Sequence, residues 1–290
     1  MAAYSLEVKS GERFEFGKNW TGFLRSLSEE RIAVAQKSIS EALEIETLDA
    51  KSFLDIGSGS GIFSLAARRL GARVHSFDYD PNSVNCTREL KRRFFSEDSQ
   101  WTIEQGSALD AGYLRSLGKF DVVYSWGVLH HTGDMWTALD NVARSVADGG
   151  FLFISLYNDQ GGASRRWKRI KQLYNRLPRG LRFLVILPSF VVLWWRRLAK
   201  DAFRGQPFHS IREYQHARGM SIWRDLIDWV GGYPFEVSTP GQVFDFCRAR
   251  GFILTRLHTC GGSLGCNEFV FQKIAVAPSR VQSAGIRSAP

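Results

Sequence analysis

From Lys51 onward the chain alternates short apolar runs with stretches of helical spacing, and no other feature restricts its fold as much. The runs are SFLDI (52–56), RVHSFDY (73–79), WTIEQG (101–106), FDVVYSW (120–126) and FLFISLYN (151–158). Between them lie helical stretches over 61–70, 82–95 and 135–147. Strands alternating with helices of about 10–15 residues predict a parallel sheet covered on both faces. One helix precedes the first strand: in 28–48, Ile32, Ala35, Ile39 and Leu43 share a face, and Ser28 is placed to cap it. After Asn158 the alternation stops for some 80 residues. It resumes with a helix in TPGQVFDFCRARG and a strand pair, FILTRLHTC and NEFVFQK, joined through GGSLG. That hairpin predicts antiparallel strands at one edge.

Composition narrows the class. At 290 residues, 44% hydrophobic and 23% charged, the chain has the make-up of a folded protein with a substantial core, which excludes disordered, collagen-like and repeat-array classes. The formal charge of +9 is unevenly placed. Arg165–Arg224 carries 15 Lys/Arg against 2 Asp/Glu, which leaves the other 230 residues at −4. A local basic block calls for its own explanation rather than nucleic acid by default. Cys86, Cys247, Cys260 and Cys266 are too few and scattered for a disulfide framework, so a cytoplasmic setting is expected. The N-terminus has no run suited to a signal peptide. The longest apolar run, Phe183–Trp195, falls short of the ~18 residues of a membrane span and contains Pro188.

The first strand runs into Gly57-Ser58-Gly59-Ser60-Gly61, and a helix follows, so backbone N–H groups would meet a ligand at the strand's carboxyl edge. Position 62 is Ile rather than the glycine of the dinucleotide fingerprint, and the Walker pattern is absent, so phosphate is not the expected ligand. Asp55 would repel a pyrophosphate but suits a cationic or amino group. Asp78, about 20 residues beyond the loop, stands where such folds hold ribose hydroxyls, or else caps the next helix.

These segments together resemble the class I S-adenosylmethionine-dependent methyltransferases, in particular the small-molecule, quinol-methylase-like branch. LDIGSGSG resembles the first motif, FDYDPNSV the acidic second-strand end, EQGSALD the adenine-lining segment, and 120–158 the fourth and fifth strands with their helix. The resemblance implies an α/β, Rossmann-like doubly wound seven-stranded sheet with an antiparallel C-terminal hairpin and a helical insertion. The expected division is an N-terminal helical cap over 1–48, the core over 49–158 and 237–274, the insertion over 159–236 and a disordered tail over 275–290. It further implies that Gly57, Ser58, Gly59 and Gly61 shape the turn beneath the methionine part of S-adenosylmethionine and that Asp55 acts on its amino group. Asp78 would accept from the ribose, Tyr79 would stack on adenine, and Ser107 or Ala108 would serve where the family often has an aspartate. Trp126 would line the pocket from the other side.

Methyl transfer to a hydroxyl needs positioning and removal of a proton. His130 and His131, just after the fourth strand, are the candidate bases, with a packing role as the alternative. Phe16 and Trp20 in the N-terminal segment, Tyr157 and Asn158 at the end of the fifth strand, and Tyr233 and Glu236 are candidate acceptor contacts. No His/Cys set has metal-ligand spacing, so no metal is expected. The basic, aromatic stretch 165–200 fits a lid or dimer element, or an element lying in the membrane interface at the inner face, and a surface helix merely solvated is the plain alternative. Its apolar run argues against nucleic acid. The expected activity is methyl transfer to oxygen of a small or lipid-like acceptor. The alternatives are transfer to nitrogen, sulfur or carbon, methylation of RNA, and a non-catalytic scaffold that keeps the cofactor fold.

Overall fold

The computed structural model describes residues 2–17, 20, 24, 27–206, 209–211 and 222–275. The expected tail from residue 276 onward lies outside them. The elements fully within the described residues are, in chain order, α1 (Ala2–Ser10), α2 (Glu29–Leu43), β1 (Ser52–Ile56), α3 (Ile62–Arg69), β2 (Arg73–Asp78), α4 (Pro81–Phe94), β3 (Trp101–Gln105), α5 (Ala111–Leu117), β4 (Phe120–Trp126), α6 (Met135–Arg144), β5 (Val146–Tyr157), α7 (Gly162–Arg176), α8 (Phe183–Phe203), α9 (Ile222–Gly231), α10 (Pro240–Arg248), β6 (Phe252–His258) and β7 (Cys266–Lys273). A one-turn 3-10 helix, Leu129–His131, follows β4.

The strands form one sheet in the order β3-β2-β1-β4-β5-β7-β6. β1 pairs parallel with β2 and β4, β2 with β3, and β4 with β5. β7 inserts between β5 and β6 and pairs antiparallel with both, so it alone runs against the others. Side chains alternate across the sheet as the pleat requires. Leu54, Val123, Leu152 and Ile154 enter the core beneath α6 and α10, whereas Phe53, Val122, Tyr124 and Phe153 enter the core beneath α2, α3 and α4. Ile32, Ala35, Ile39 and Leu43 are the buried face of α2, and the Ser28 hydroxyl accepts the Arg31 N–H at its start.

The insertion builds a third core of its own. Trp167 and Tyr174 of α7, Val185 and Ile186 of α8, Leu226 and Val230 of α9, and Phe235 pack with Phe14 from the N-terminal segment. Gly231 admits that segment: a Cβ there would overlap the Phe14 ring, and the Phe14 N–H donates to the Tyr233 carbonyl at 2.8 Å. Pro188, which the sequence suggests as a break, lies inside α8 without ending it. The ring sits on the exposed side, where solvent can reach the carbonyl that loses its N–H partner.

Candidate active site

A cavity of 1320 Å³ opens at the carboxyl edge of β1, β2, β4 and β5, beneath the N-terminal segment and the insertion. Pockets for drug-sized ligands run to roughly 300–1,000 Å³, so this one has room for two ligands side by side.

Its first half is built on the glycine turn. Gly57, Gly59 and Gly61 have φ of +75°, +55° and +82°, a region costly for residues with a Cβ. At Gly57 the place of a side chain is filled by the methyls of Val128, in the loop after β4. The Asp78 carboxyl accepts the Gly59 N–H at 2.9 Å on one oxygen and the Asp80 N–H at 2.8 Å on the other, which leaves a further lone pair on each. Burial raises Asp78 to about 6, against the lowering effect of these two bonds. Helix α4 is capped by Asp80, whose side chain accepts from Asn82 at 2.8 Å, so Asp78 is not needed for capping. Tyr79, Ser107, Ala108 and Trp126 line the same half. The Tyr79 ring carries the Arg13 guanidinium at 4.8 Å and forms a T-shaped pair with Tyr4 at 5.5 Å.

The second half contains the histidines. His130 and His131 line the cavity, with ring centroids 4.5 Å apart. Their partners fix opposite tautomers. His130 Nδ1 accepts the Tyr157 N–H at 3.2 Å, so its proton sits on Nε2, which is buried with no hydrogen-bond partner. His131 Nδ1 lies 2.6 Å from the Pro234 carbonyl and must donate to it, which leaves an acceptor lone pair on Nε2. Burial drives His130 well below the usual histidine range, helped by His131 and the Lys171 charge. Burial also lowers His131 to about 3, opposed by the Pro234 bond and aided by Lys171 and Arg13. The Tyr157 ring lies 3.9 Å from that of His130, and Phe16 packs on His131 at 4.9 Å.

Six expected site residues stand off the cavity wall. Asp55 is turned beneath the sheet into a fully buried polar chain, where its carboxylate accepts the Ser64 hydroxyl and Ser64 meets Ser76 at 2.7 Å. Burial raises Asp55 to about 7. Gly61 is pressed against Thr87, and the Ser58 hydroxyl bonds that of Thr87 at 2.9 Å. Asn158 is occupied by Asn267 at 3.1 Å and by a bridge to Ser238. The Tyr233 hydroxyl accepts from Gln172 at 3.1 Å. Glu236 accepts the Gly133 and Met135 N–H groups at 3.1 and 3.2 Å, at the start of α6. Phe16, Trp20 and Tyr157 do line the cavity.

Two residues escape sequence reasoning. Arg13 donates to the His131 carbonyl at 2.9 Å, pairs with Glu7 at 2.5 Å and covers Tyr79, thereby tying the two halves together. Lys171 is fully buried, donates to the Trp229 carbonyl and lies 4.3 Å from the Trp229 ring and 4.8 Å from that of Phe235. Burial lowers it to about 7. Neither belongs to a motif, and within a basic segment Lys171 reads as one charge among many. Among the described residues, no group of three or more His, Cys, Asp or Glu side chains is arranged to hold a metal.

Residues 27–217 match the methyltransferase domain family. The chain belongs to this family. It is 32% identical over 116 residues to the ubiquinone biosynthesis O-methyltransferase of Escherichia coli O7:K1, an overlap of 39% of this chain and 46% of that one. It is 29% identical over 124 residues to the enzyme of the same name from Parvibaculum lavamentivorans, covering 41% and 45%. The matched segment thus spans about half the length of these relatives. In fold it is similar to magnesium protoporphyrin IX methyltransferase from Synechocystis, with a TM-score of 0.51 at 14% identity over 84% of this chain and 83% of that one.

Proposed function

We propose that the protein transfers a methyl group from S-adenosylmethionine to a hydroxyl oxygen of a hydrophobic or lipid-like acceptor. The observation that carries this reading is the histidine pair: one cavity holds the glycine turn with Asp78 and, beside it, two histidines of opposite tautomer. When bound, S-adenosylmethionine supplies an electrophilic methyl on a sulfonium centre. Asp78 has free lone pairs for two ribose hydroxyls, Tyr79 offers an aromatic surface, and the Asp78 carboxylate suits a cation. His131 Nε2 takes the proton of the acceptor hydroxyl as its oxygen attacks, while His130, whose Nε2 is closed off from the cavity, packs against the His131 ring and holds it in place. The Pro234 carbonyl holds the Nδ1–H of His131 and stabilises the imidazolium that results. Desolvation keeps both rings uncharged at neutral pH, which leaves His131 able to accept a proton while lowering its strength as a base.

Oxygen as the receiving atom is supported by the relatives named as O-methyltransferases. A hydrophobic acceptor is supported by the far wall of the cavity, where Phe16, Tyr157, Leu193, Trp194, Leu226 and Trp229 gather, with Arg196, Arg197, Asp225 and Asp228 of the same helices also in the lining. Such an acceptor would keep the protein at or near a membrane surface, with 165–200 as the contact. Calorimetry with S-adenosylhomocysteine tests the cofactor reading, and absence of binding overturns it. Incubation of cell extract with methyl-labelled cofactor then identifies the product: label recovered as a methyl ether supports the oxygen reading, whereas label on nitrogen, sulfur or carbon refutes it.

A further inference from the structure

Helix α8 has two apolar faces, and only one of them is used by the fold. Val185, Ile186 and Ser189 are buried in the third core, with Phe190 and Leu193 packed partly against it. On the opposite side Leu184, Leu187, Val191, Val192 and Trp195 are 51–63% exposed, and with Pro188 they follow the spacing i, i+3, i+4, i+7, i+8, i+11 of one helical stripe. An unbroken exposed apolar stripe about three turns long is unusual on a protein meant only for water.

The charges around it indicate what covers it. Arg176 and Arg179 precede the stripe, Arg196, Arg197, Lys200 and Arg204 follow it, and all six are exposed. The one carboxylate in this stretch, Asp201, is buried and accepts the Ser210 hydroxyl at 2.7 Å. At the distal end Arg196 lies 5.5 Å from the Trp195 ring, the amphipathic pairing suited to the level of lipid headgroups. A second copy of the chain would bring one cationic rim against another, because a two-fold contact presents the same patch from both sides. An anionic surface meets no such repulsion. Among the described residues no helix is long and apolar enough to cross a membrane.

We propose that α8 docks on an anionic lipid bilayer, lying in the plane of the interface with Leu184, Leu187, Val191, Val192 and Trp195 among the acyl chains and its terminal arginines at the headgroups. The proposal gives the hydrophobic-acceptor reading its partner, and it rests on that reading only for its purpose, since the docking itself requires neither cofactor nor acceptor. Leu193 and Trp194, on the same helix, line the cavity, so the docking face and the acceptor chamber share one wall.

The test is co-sedimentation of the full chain with phosphatidylcholine vesicles, with and without about one third phosphatidylglycerol, across a salt series. Binding to the anionic vesicles that weakens with salt is expected. The pair Leu187→Glu and Val191→Glu should lower the partition coefficient at least about tenfold, because each places a charge among the acyl chains. The pair Arg176→Glu and Arg179→Glu should lower it on anionic vesicles and leave the weak binding to neutral ones unchanged. Equal heats of S-adenosylhomocysteine binding in variants and parent show that the fold is intact, so docking and the cofactor reading can fail separately. Failure of the parent chain to sediment with anionic vesicles overturns the proposal. Retained binding in the Leu187→Glu, Val191→Glu variant does the same. So does a concentration-dependent dimer in sedimentation velocity that this variant abolishes, which would make a second copy the occupant.

Discussion

The two halves of the cavity are built by different means. The glycine-turn half rests on backbone: three left-handed glycines, the N–H groups of Gly59 and Asp80, and short side chains at the ends of β1 and β2. The histidine half rests on side chains from five separated places, Phe16, His130 and His131, Tyr157, Lys171, and the pair Trp229 and Phe235. A backbone site allows few alternatives, because the turn itself is the binding surface. A site assembled from side chains can be altered one residue at a time, which is how one fold comes to serve many acceptors.

If the halves are separate, variants should separate too. His131→Ala should lower kcat by about 10²–10⁴, the usual worth of a general base, and leave the cofactor Kd within about twofold. A comparable loss of cofactor affinity would break the distinction. Asp78→Ala should do the reverse, raising the cofactor Kd by about 10–100-fold through the loss of one or two charge-assisted hydrogen bonds. Arg13→Ala is the exception the structure predicts, since Arg13 holds both the Tyr79 ring and the His131 carbonyl. It should raise the cofactor Kd and the acceptor KM together, each by about three- to tenfold.

A pH series sharpens the same contrast. A cationic ligand favours ionised Asp78, which burial holds at about 6. Affinity for S-adenosylmethionine should therefore fall as pH drops below about 6, by at most about tenfold per unit, and binding there should release a proton, measured by calorimetry in buffers of different ionisation enthalpy. Asp78→Asn should flatten this dependence. His131, at about 3, stays uncharged over the whole interval and adds no limb of its own. The smallest effect expected is on stability. Glu236→Gln removes a carboxylate from the start of α6 and should cost about 0.5–1 kcal/mol by chemical denaturation, with cofactor binding unchanged.

The difference in construction also governs what the sequence discloses. Strand SFLDI, the glycine turn and Asp78 are contiguous or fixed in spacing by one βαβ unit, and β1 and β4 fall on the residues expected. The alternation that predicts the sheet is a local signal, so the order of its layers follows from it. Asp55 shows the limit: two residues before the first glycine it reads as a ligand group, yet the pleat turns it under the sheet toward Ser64. Arg13 and Lys171 act at distances of 118 residues and 58 residues along the chain, on His131 and Trp229. No periodicity marks such contacts, because they depend on how the insertion closes over the sheet. Pro188 misleads for a similar reason, since its ring lies on the side of α8 away from the core, where the fold tolerates the missing hydrogen bond.

The notch at Gly231 has a consequence for how this closure opens. Phe14 fills the space that a side chain at Gly231 would take, and its N–H is spent on Tyr233, so the N-terminal strap is latched to the insertion as well as, through Arg13, to the loops at the sheet's carboxyl edge. The strap cannot lift without emptying that notch and uncovering Val230 and Phe235. Strap and insertion should therefore exchange their amide hydrogens as one cooperative unit, distinct from the slower sheet, and a protease that nicks one should soon release the other.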